Sequence, residues 1–269
     1  FQLEAWKIQV LKETGKMTDE FHFFEPTFNG STSNKYNCNI QVFDQCVLIC
    51  FIEGNKIVSI KCLKCFDDSS SKLEILNAEI SKEVKHKTLT VSISNDQYCY
   101  VPKELFDTEQ LQQHMELNCG KNSSVSYFNK YSERHNIEFL YGIDKKLYNG
   151  IKKQFPTAYV NHHGNTLTDS ISSSFDTNNK DTLYVHVVAQ SLSILCFSNQ
   201  KLVYHSSFKI TSPEDYLYYL LFTCEQTGLD PKKSKVIILG DLKPGEKQHH
   251  YTYNYFQKIQ FGDVKSDFT

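Results

Sequence analysis

Residues 40–50 read IQVFDQCVLIC, and residues 185–195 read VHVVAQSLSIL. Their apolar positions coincide at a constant offset of 145, and both segments carry a glutamine at the same place, Gln45 and Gln190. Two runs of strand-forming residues separated by a short turn are typical of a β-hairpin. Each segment opens a half of the chain that reads strand, strand, strand, helix, strand, helix, so the sequence predicts an internal duplication. The alternative is that two unrelated hairpins match by chance.

The order of elements predicts an α/β fold of two lobes, each a mixed sheet with flanking helices. The stretch 176–181 contains no apolar residue and is the predicted boundary between the lobes. Met17 lies within a polar beginning of the chain, and residues 1–16 are open to two interpretations, native or upstream-translated. The predicted parts are a weakly ordered lead-in (1–36), an N-terminal lobe (37–175), a C-terminal lobe (181–262) and a tail (263–269).

The composition is that of a globular protein and excludes several classes. The chain has 269 residues, of which 40% are hydrophobic and 22% charged, unlike a disordered protein. Its formal net charge is −2 and Arg134 is the only arginine among 29 basic residues, which argues against a nucleic-acid surface. No apolar run approaches the ~18 residues that a membrane helix needs. The cysteines lie in apolar stretches without a secretory signal before them, so a cytoplasmic protein is expected.

Two kinds of local pattern could indicate metal or redox chemistry. Cys62 and Cys65 form a lone Cys-x-x-Cys, whereas a structural zinc site needs four ligands, and the sequence offers no second pair. Asp67 is expected to raise a neighbouring thiol's pKa, which disfavours a redox site and predicts two strand-end cysteines. The adjacent pairs His162–His163 and His249–His250 are predicted to lie at the solvated surface, because neighbouring rings diverge on a helix or strand.

Residues 212–228 predict a helix with an unusual surface. Ser212 and Pro213 form a strong helix start, and Gly228 ends the helix. The residues from Tyr216 to Phe222 are all aliphatic or aromatic, and seven residues make about two turns, so they cover every face. One face can pack on its own sheet. The rest is expected to contact the other lobe, a second copy of the chain or another protein, with Tyr218 or Tyr219 at the contact.

Three stretches carry a resemblance to a known family. They are YVPKELFD at 100–107, SPEDYLYYLLF at 212–222 and ILGD at 238–241. Over roughly residues 37–262 the chain resembles the bacterial domain of unknown function 3822, whose fold is actin-like. The resemblance implies a duplicated, ribonuclease-H-like architecture of two lobes, the fold also used by actin, sugar kinases, the Hsp70 ATPase domain and PilM-type pilus-assembly ATPases. It implies no activity, because a fold does not fix a function.

The resemblance also implies a nucleotide site between the lobes, in which two hairpins hold phosphate. Each hairpin reads Asp-x-Gly, because glycine lets backbone N–H groups approach phosphate and the acid organises magnesium through water. Here the hairpins read Asp44-Gln45-Cys46 and Ala189-Gln190-Ser191, so both glycines and the second acid are absent. Of the paired glycines that pack on adenosine, only the first remains. If the cleft binds nucleotide, its residues are predicted to be Asp44, Gln45, Cys46, Gln190, Ser191, Gly240 and Asp241.

The incomplete pattern predicts a pseudo-ATPase that serves as a binding or scaffold module, with no catalytic residue, no metal and no cofactor. Its expected partner is a protein or a second copy of the chain. The alternative is an enzyme, a divergent ATPase or small-molecule kinase that binds magnesium-ATP at an atypical site between the lobes. In that case Asp44 or Asp241 would hold the magnesium and Gly240 would lie against the base.

Overall fold

A computed structural model of the protein describes residues 21–26, 28, 35–54, 56–80, 86–179 and 181–262. They form two compact units: the first is His22–Thr166, and the second begins at Leu167. The sequence predicts a boundary at 176–181, whereas the units divide between Thr166 and Leu167, inside a helix. The predictions for residues 1–20 of the lead-in and for the tail, 263–269, lie outside the described residues.

The first unit contains a six-stranded sheet and a smaller, three-stranded sheet. The strands of the larger sheet are β1 (Phe21–Phe24), β2 (Tyr36–Val42), β3 (Cys46–Glu53), β4 (Lys56–Lys64), β5 (His86–Ile93) and β9 (Tyr159–His162). Those of the smaller sheet are β6 (Tyr98–Pro102), β7 (Val125–Ser132) and β8 (Ile137–Asp144). The helices are α1 (Ser69–Ile80), α2 (Leu111–Cys119) and α3 (Lys145–Gln154).

The larger sheet has the order β1-β4-β3-β2-β5-β9. Strands β2, β3 and β4 form an antiparallel meander, and β5 pairs parallel with both β2 and β9. Because successive side chains of a strand point to opposite faces, Ile40 and Val42 of β2 share one face. Leu76 of α1, Ile151 of α3 and Phe139 of the smaller sheet pack into the same hydrophobic cluster. The core of this unit therefore lies on the helix-covered face of the sheet.

Part of the predicted lead-in is a strand. Residues 21–24 form β1 beside β4, at the edge of the larger sheet, where the prediction for 1–36 was weak order. The N–H of Glu25 donates to the carbonyl of Val58 at 2.9 Å. Phe28 lies 5.3 Å from the ring of Tyr36 and 5.4 Å from that of Phe51. The four residues of β1 are too few to show a period in the sequence, and pairing with a strand more than thirty residues away holds them.

The second unit contains one five-stranded sheet. Its strands are β10 (Thr182–Val188), β11 (Ser191–Ser198), β12 (Lys201–Lys209), β13 (Lys235–Gly240) and β14 (Lys258–Phe261). Helix α4 (His163–Ser174) spans the division between the units, and α5 (Pro213–Thr227) and α6 (Lys247–Tyr255) follow. The order β12-β11-β10-β13-β14, with an antiparallel meander and then parallel pairs, repeats that of β4-β3-β2-β5-β9. Mixed sheets with flanking helices are therefore present in both units, as predicted.

The sheet of the second unit has apolar clusters on both faces. Val185 of β10 and Ile194 of β11 pack with Leu220 of α5 on one face. Tyr184 and Leu195 pack with Leu167 and Ile171 of α4 in a separate cluster. None of the helices in the part of the chain that the structure describes is long and apolar enough to cross a membrane.

The ends of α5 follow the sequence signals. Ser212 accepts the N–H of Asp215 at 3.1 Å, while the Asp215 carboxylate accepts the N–H of Ser212 at 2.9 Å, which is a capping box. Pro213 occupies the first turn, and Gly228 ends the helix with a φ of 68°. The predicted start and end of this helix are confirmed.

The first histidine pair is buried, so the prediction of a solvated surface is wrong for it. His162 and His163 have exposed fractions of 1% and 3%. The Nε2 atom of His162 lies 3.1 Å from Oδ1 of Asn95, and its Nδ1 accepts the N–H of Gly164 at 3.0 Å. Burial lowers the pKa of His162 to about 3, so the ring is neutral. These hydrogen bonds compensate for burying a polar ring, which the sequence pattern alone does not indicate.

Candidate functional site

The first candidate site is the turn between β2 and β3. The N–H of Phe43 donates to the carbonyl of Cys46 at 2.9 Å and closes the turn. The N–H of Cys65 donates to the carbonyl of Gln45 at 3.0 Å, and its thiol donates to the carbonyl of Asp44 at 3.6 Å. The predicted residues Asp44, Gln45 and Cys46 therefore lie together here, held from one side by the residue that follows β4. Cys46 is buried, with an exposed fraction of 2%.

A buried lysine lies beside this turn, and sequence reasoning missed it. Lys72 has an exposed fraction of 8%, and its Nζ donates to Oδ1 of Asp67 at 2.9 Å. Burial raises the pKa of the Cys65 thiol to about 11; the Lys72 charge opposes this shift, and the carboxylates of Asp67 and Asp44 add to it. These side chains therefore share one electrostatic environment. Lys72 precedes the apolar residues of α1, and no spacing in the sequence relates it to a turn nearly thirty residues earlier.

The cysteine pair lies at the C-terminal end of β4. Cys62 is buried in β4, and Cys65 directly follows the strand. A thiol whose pKa is about 11 is protonated at neutral pH and is a poor nucleophile. No group of three or more His, Cys, Asp or Glu among the described residues could hold a metal ion. The prediction of strand-end cysteines is confirmed.

The second candidate site is the turn between β10 and β11. Val188 and Ser191 pair across it, so Ala189 and Gln190 are its central residues. Ala189 has a φ of 51°, in the left-handed region where a Cβ atom is unfavourable. The N–H of Ile210, directly after β12, donates to the carbonyl of Gln190 at 2.8 Å. This is the bond that Cys65 makes in the first unit, at the same offset of 145 residues.

Gly240 lies against the backbone of β10. Its φ is 88°, and a Cβ atom there would lie 2.1 Å from the carbonyl oxygen of Val187. The N–H of Asp241 donates to that same carbonyl at 2.7 Å, and Asp241 has an exposed fraction of 6%. The close approach of β13 to β10 is thus a sufficient reason for glycine at this position. Gly240 and Asp241 lie at the end of β13, beside the strand that leads into the second turn.

The residues of the two turns depart from the Asp-x-Gly pattern that the resemblance implies. Ala189 has no carboxylate to organise a magnesium ion, and its left-handed φ is held without glycine. Cys46 places a buried side chain where the phosphate pattern has none. Of the predicted residues, Asp44, Gln45 and Cys46 belong to the first unit, and Gln190, Ser191, Gly240 and Asp241 belong to the second.

The predicted protein contact lies on α5. Tyr219 stacks on Phe208 of β12, with ring centroids 4.1 Å apart and planes 12° apart, so it packs within its own unit. Tyr218 has an exposed fraction of 61%, and its ring lies 6.0 Å from that of Phe222 in a stacked arrangement. Tyr216 and Leu220 are fully buried on the opposite side of the helix. Tyr218 is thus the exposed member of the aromatic run.

Comparison with known proteins places the chain in a family. Residues 25–259 match the family described as "Protein of unknown function (DUF3822)", and the chain belongs to it. No protein of curated function matches the sequence.

Solved structures show the fold. A Bacteroides thetaiotaomicron protein "with actin-like ATPase fold and unknown function" is 19% identical, with a TM-score of 0.76 over 88% of this chain and 94% of that one. The ethanolamine utilization protein EutJ from Carboxydothermus hydrogenoformans is 7% identical, with a TM-score of 0.52 over 97% and 93% of the two chains. A chain of the PilM–PilN type IV pilus biogenesis complex is 8% identical, with a TM-score of 0.52 over 84% and 88%. The predicted actin-like fold is confirmed.

Proposed function

We propose that this DUF3822 protein is an actin-fold module that does not hydrolyse ATP and acts in the cytoplasm by binding another protein. One observation carries the proposal. The turn that should supply the second acid and glycine has Ala189 at a φ of 51° and Ser191 in their places. The two sheets nevertheless keep the same strand order. A retained architecture with altered turns supports a module that has lost phosphate binding.

The remaining glycine does not argue for a nucleotide. A Cβ atom at Gly240 would lie 2.1 Å from the carbonyl oxygen of Val187, so strand packing alone requires glycine there. The matching strand order and turn bonds of the units support a duplication, which explains why two similar turns exist. A duplicated fold that has lost its phosphate contacts can still present surfaces for partners.

Tyr218 is the proposed contact with the partner. It is 61% exposed and lies between Glu214 and Phe222 on one side of α5, at spacings of four residues. Exposed aromatic rings on a helix are frequent anchors at protein interfaces. The PilM structure that shares this fold was solved as a complex with PilN, which supports a protein partner for a chain of this architecture.

Calorimetric titration with magnesium-ATP tests the first half of the proposal. The wild-type protein is expected to give no saturable heat, whereas binding in the micromolar range would contradict the proposal. The triple variant Cys46→Gly, Ala189→Asp, Ser191→Gly restores the pattern and is the matched comparison. Binding in this variant alone would identify these positions as the cause of the lost affinity.

The second half is tested with Tyr218→Glu. Tyr253→Glu is the matched control, because Tyr253 is 65% exposed on a different helix, α6. The wild type and the Tyr253 variant should capture the same proteins from cells, and the Tyr218 variant should not capture them. All three proteins should have the same melting temperature. Light scattering on the same proteins distinguishes a second copy from another protein. Equal capture by all three would exclude Tyr218 as the contact.

A second candidate, a divergent ATPase or small-molecule kinase, is favoured by Lys72. A buried ammonium beside the first turn could pair with a phosphate group in place of Asp67. In this case the purified wild type releases phosphate from magnesium-ATP, and Lys72→Met and Asp44→Asn abolish the release. Lys61→Met, which removes a lysine paired with Glu79, is the matched control and retains it. Absence of phosphate release by the wild type would exclude the ATPase, and absence of magnesium-ATP binding in the calorimetric titration would exclude the kinase as well.

A further inference from the structure

Strand β7 is an outer strand of the smaller sheet, whose order is β6-β8-β7. The direction in which the N–H and C=O groups of β7 point follows from its pairing with β8. Gly142 of β8 lies opposite Tyr127 and donates its N–H to the carbonyl of Gln97, on the side away from β7, at 2.7 Å. In an antiparallel pair, two opposite residues both point inward or both point outward. The N–H and C=O groups of Tyr127, and by alternation those of Asn129 and Tyr131, therefore point to the outer edge.

These outward groups have no partner in the part of the chain that the structure describes. On the side away from β8, the backbone groups of Tyr127, Asn129 and Tyr131 make no hydrogen bond to the backbone of any described residue. Asn129 and Tyr131 are exposed, so the edge is open at its second half. An open edge of this length is a template for another extended chain.

A groove runs beside the first half of the same edge. It has a volume of about 600 Å³ and lies between α2 and β7. Leu111 of α2 and Val125 and Tyr127 of β7 supply its apolar lining. A helix wall beside an open strand edge is the arrangement with which several domains bind peptides, the edge giving backbone hydrogen bonds and the groove receiving alternate side chains.

Two lysines and two glutamates line the groove. Lys121 and Lys145 line the end that precedes β7. Lys145 donates to the carbonyl of Ser123 at 2.7 Å, a neutral acceptor that leaves its charge uncompensated. No carboxylate pairs with Lys121 among the described residues. The carboxylates of Glu109 and Glu116 also line the groove, and Glu116 accepts a hydrogen bond from Gln112 at 2.7 Å. A negative group is therefore best accommodated at the lysine end.

We propose that the outer edge of β7 binds an extended peptide segment of a partner protein as a fourth strand of the smaller sheet. An apolar side chain of the peptide lies in the groove against Leu111 and Tyr127, and an acidic residue lies near Lys121 and Lys145. The inference deepens the proposed function and rests on its protein-binding role. It depends neither on Tyr218 nor on the loss of nucleotide binding.

Hydrogen exchange of individual amides, measured by NMR on the full chain, is the direct test. The probes are synthetic peptides selected from a random library displayed on phage. In the free protein the amides of Tyr127, Asn129 and Tyr131 should exchange quickly, and those of Phe128 and Lys130, which point to β8, slowly. A bound peptide should slow the first set at least tenfold, a factor that corresponds to about 1.4 kcal/mol of protection, and leave the second set unchanged.

Two matched pairs of variants separate edge pairing from other modes. Asn129→Pro and Asn129→Thr both lose the side-chain bond to Glu138, but only proline removes the outward N–H. The proline variant should bind the peptides about tenfold more weakly than the threonine variant. Lys121→Glu should weaken acidic peptides severalfold, and Lys153→Glu, an exposed lysine on α3, should not.

Three results would overturn the inference. The first is selection that yields no peptide, or peptides whose binding leaves the exchange of Tyr127, Asn129 and Tyr131 unchanged. The second is equal binding by the proline and threonine variants. The third is protection of the outward amides that appears with rising protein concentration alone, which would identify a second copy as the occupant. Binding of magnesium-ATP would refute the proposed loss of nucleotide binding but would change none of these three results. Failure of the proposed function and failure of this inference are therefore distinguishable.

Discussion

The β2–β3 hairpin of the first unit and the β10–β11 hairpin of the second are built alike up to the turn and differ in the turn itself. In each, the residue after the third strand donates its N–H to the second turn residue, Cys65 to Gln45 at 3.0 Å and Ile210 to Gln190 at 2.8 Å. Ala189 has a left-handed φ, whereas the corresponding Asp44 does not. The shared bonds are made by the backbone, so the strand arrangement tolerates different turn residues and different turn shapes.

A second difference lies where the first strand of each hairpin, β2 or β10, pairs with its parallel neighbour, β5 or β13. Val42 pairs with Ile93 at the end of β5, and Val187 pairs with Gly240 at the end of β13. In both units the next residue of the chain donates its N–H to the carbonyl of the first partner. Ser94 donates to Val42 at 2.8 Å, and Asp241 donates to Val187 at 2.7 Å. A large side chain at this register is accepted in the first unit and excluded in the second. Equivalent positions in the two sheets therefore carry opposite steric requirements.

The largest effect is expected for Gly240→Ala. The new Cβ atom would meet the carbonyl oxygen of Val187 at 2.1 Å and the φ of 88° would add strain, so the free energy of unfolding should fall by at least ~3 kcal/mol. Gly245→Ala is the matched control, because its φ is 91° with nothing within 4 Å. It should cost only the strain, about 1–2 kcal/mol. Urea unfolding of both variants measures the difference, and equal losses would refute the close approach.

Acid should act on the first unit through His162. Its pKa is about 3 when folded against an ordinary value of 6.5, because burial disfavours the charged ring. Its neutral form therefore stabilises the fold fully above about pH 6.5, and this contribution is lost as the pH falls toward 3, at ~1.4 kcal/mol per pH unit. Between about pH 6 and pH 4, the free energy of unfolding of His162→Gln should therefore fall less steeply than that of the wild type, by ~1.4 kcal/mol per pH unit.

Amide exchange in β2 and in β10, read separately, shows where the acid effect lies. After correction for the slower intrinsic exchange in acid, protection at low pH is expected to fall in β2, whose sheet contains His162, and to change less in β10. His250→Gln, at an exposed position, is the control and should leave the wild-type pH dependence intact. An equal response of both strands would remove this distinction between the units.

Much of the fold could be predicted from the sequence because its signals are local. The matching apolar runs predicted the β2–β3 and β10–β11 hairpins, and Ser212 and Gly228 predicted the two ends of α5. Strand β7 was missed, because its sequence, VSYFNKYS, shows no regular alternation of polar and apolar residues.

The site was less predictable, because it depends on contacts between distant residues. The burial of His162 depends on Asn95, which is 67 residues away. The steric need for Gly240 depends on the register of β13 against β10, and no motif encodes that register. The position of Lys72 beside the first turn likewise follows from the packing of α1. Composition assigns such polar residues to the surface, whereas long-range hydrogen bonds and ion pairs place them inside.

The helix pairs of the two units are also joined differently. In the first unit α1 and α3 approach closely, and a Cβ atom at Gly150 would lie 2.5 Å from the side chain of Leu73. In the second, α5 and α6 are linked by a hydrogen bond between the hydroxyls of Tyr216 and Thr252 at 3.0 Å, and both residues are fully buried. One junction depends on shape and the other on a polar contact in the core.

An intermediate effect is expected for Tyr216→Phe, which leaves the Thr252 hydroxyl with one partner fewer in the core. The free energy of unfolding should fall by about 1–2 kcal/mol. Tyr251→Phe is the matched control, because its hydroxyl also links α6 to α5, through Glu214 at 2.7 Å, but on the exposed surface. No measurable change is expected for the control. A loss of equal size in both variants would show that burial does not distinguish the two contacts.

The smallest effect has opposite signs in the two hairpins and therefore tests their difference most sharply. At Ala189 a left-handed φ costs about 1–2 kcal/mol for any residue with a Cβ atom, while glycine costs about 0.5–1 kcal/mol in lost chain entropy. Ala189→Gly should therefore stabilise the protein by roughly 0.5 kcal/mol. At the corresponding Asp44 the φ is not left-handed, so glycine brings only the entropic loss. Comparing Asp44→Gly with Asp44→Ala removes the contribution of the carboxylate, and the glycine variant should be the less stable by about 0.5–1 kcal/mol. If glycine lowered stability at both turns, as urea unfolding would reveal, the two turns would share one shape, and their sequences would be the only difference between them.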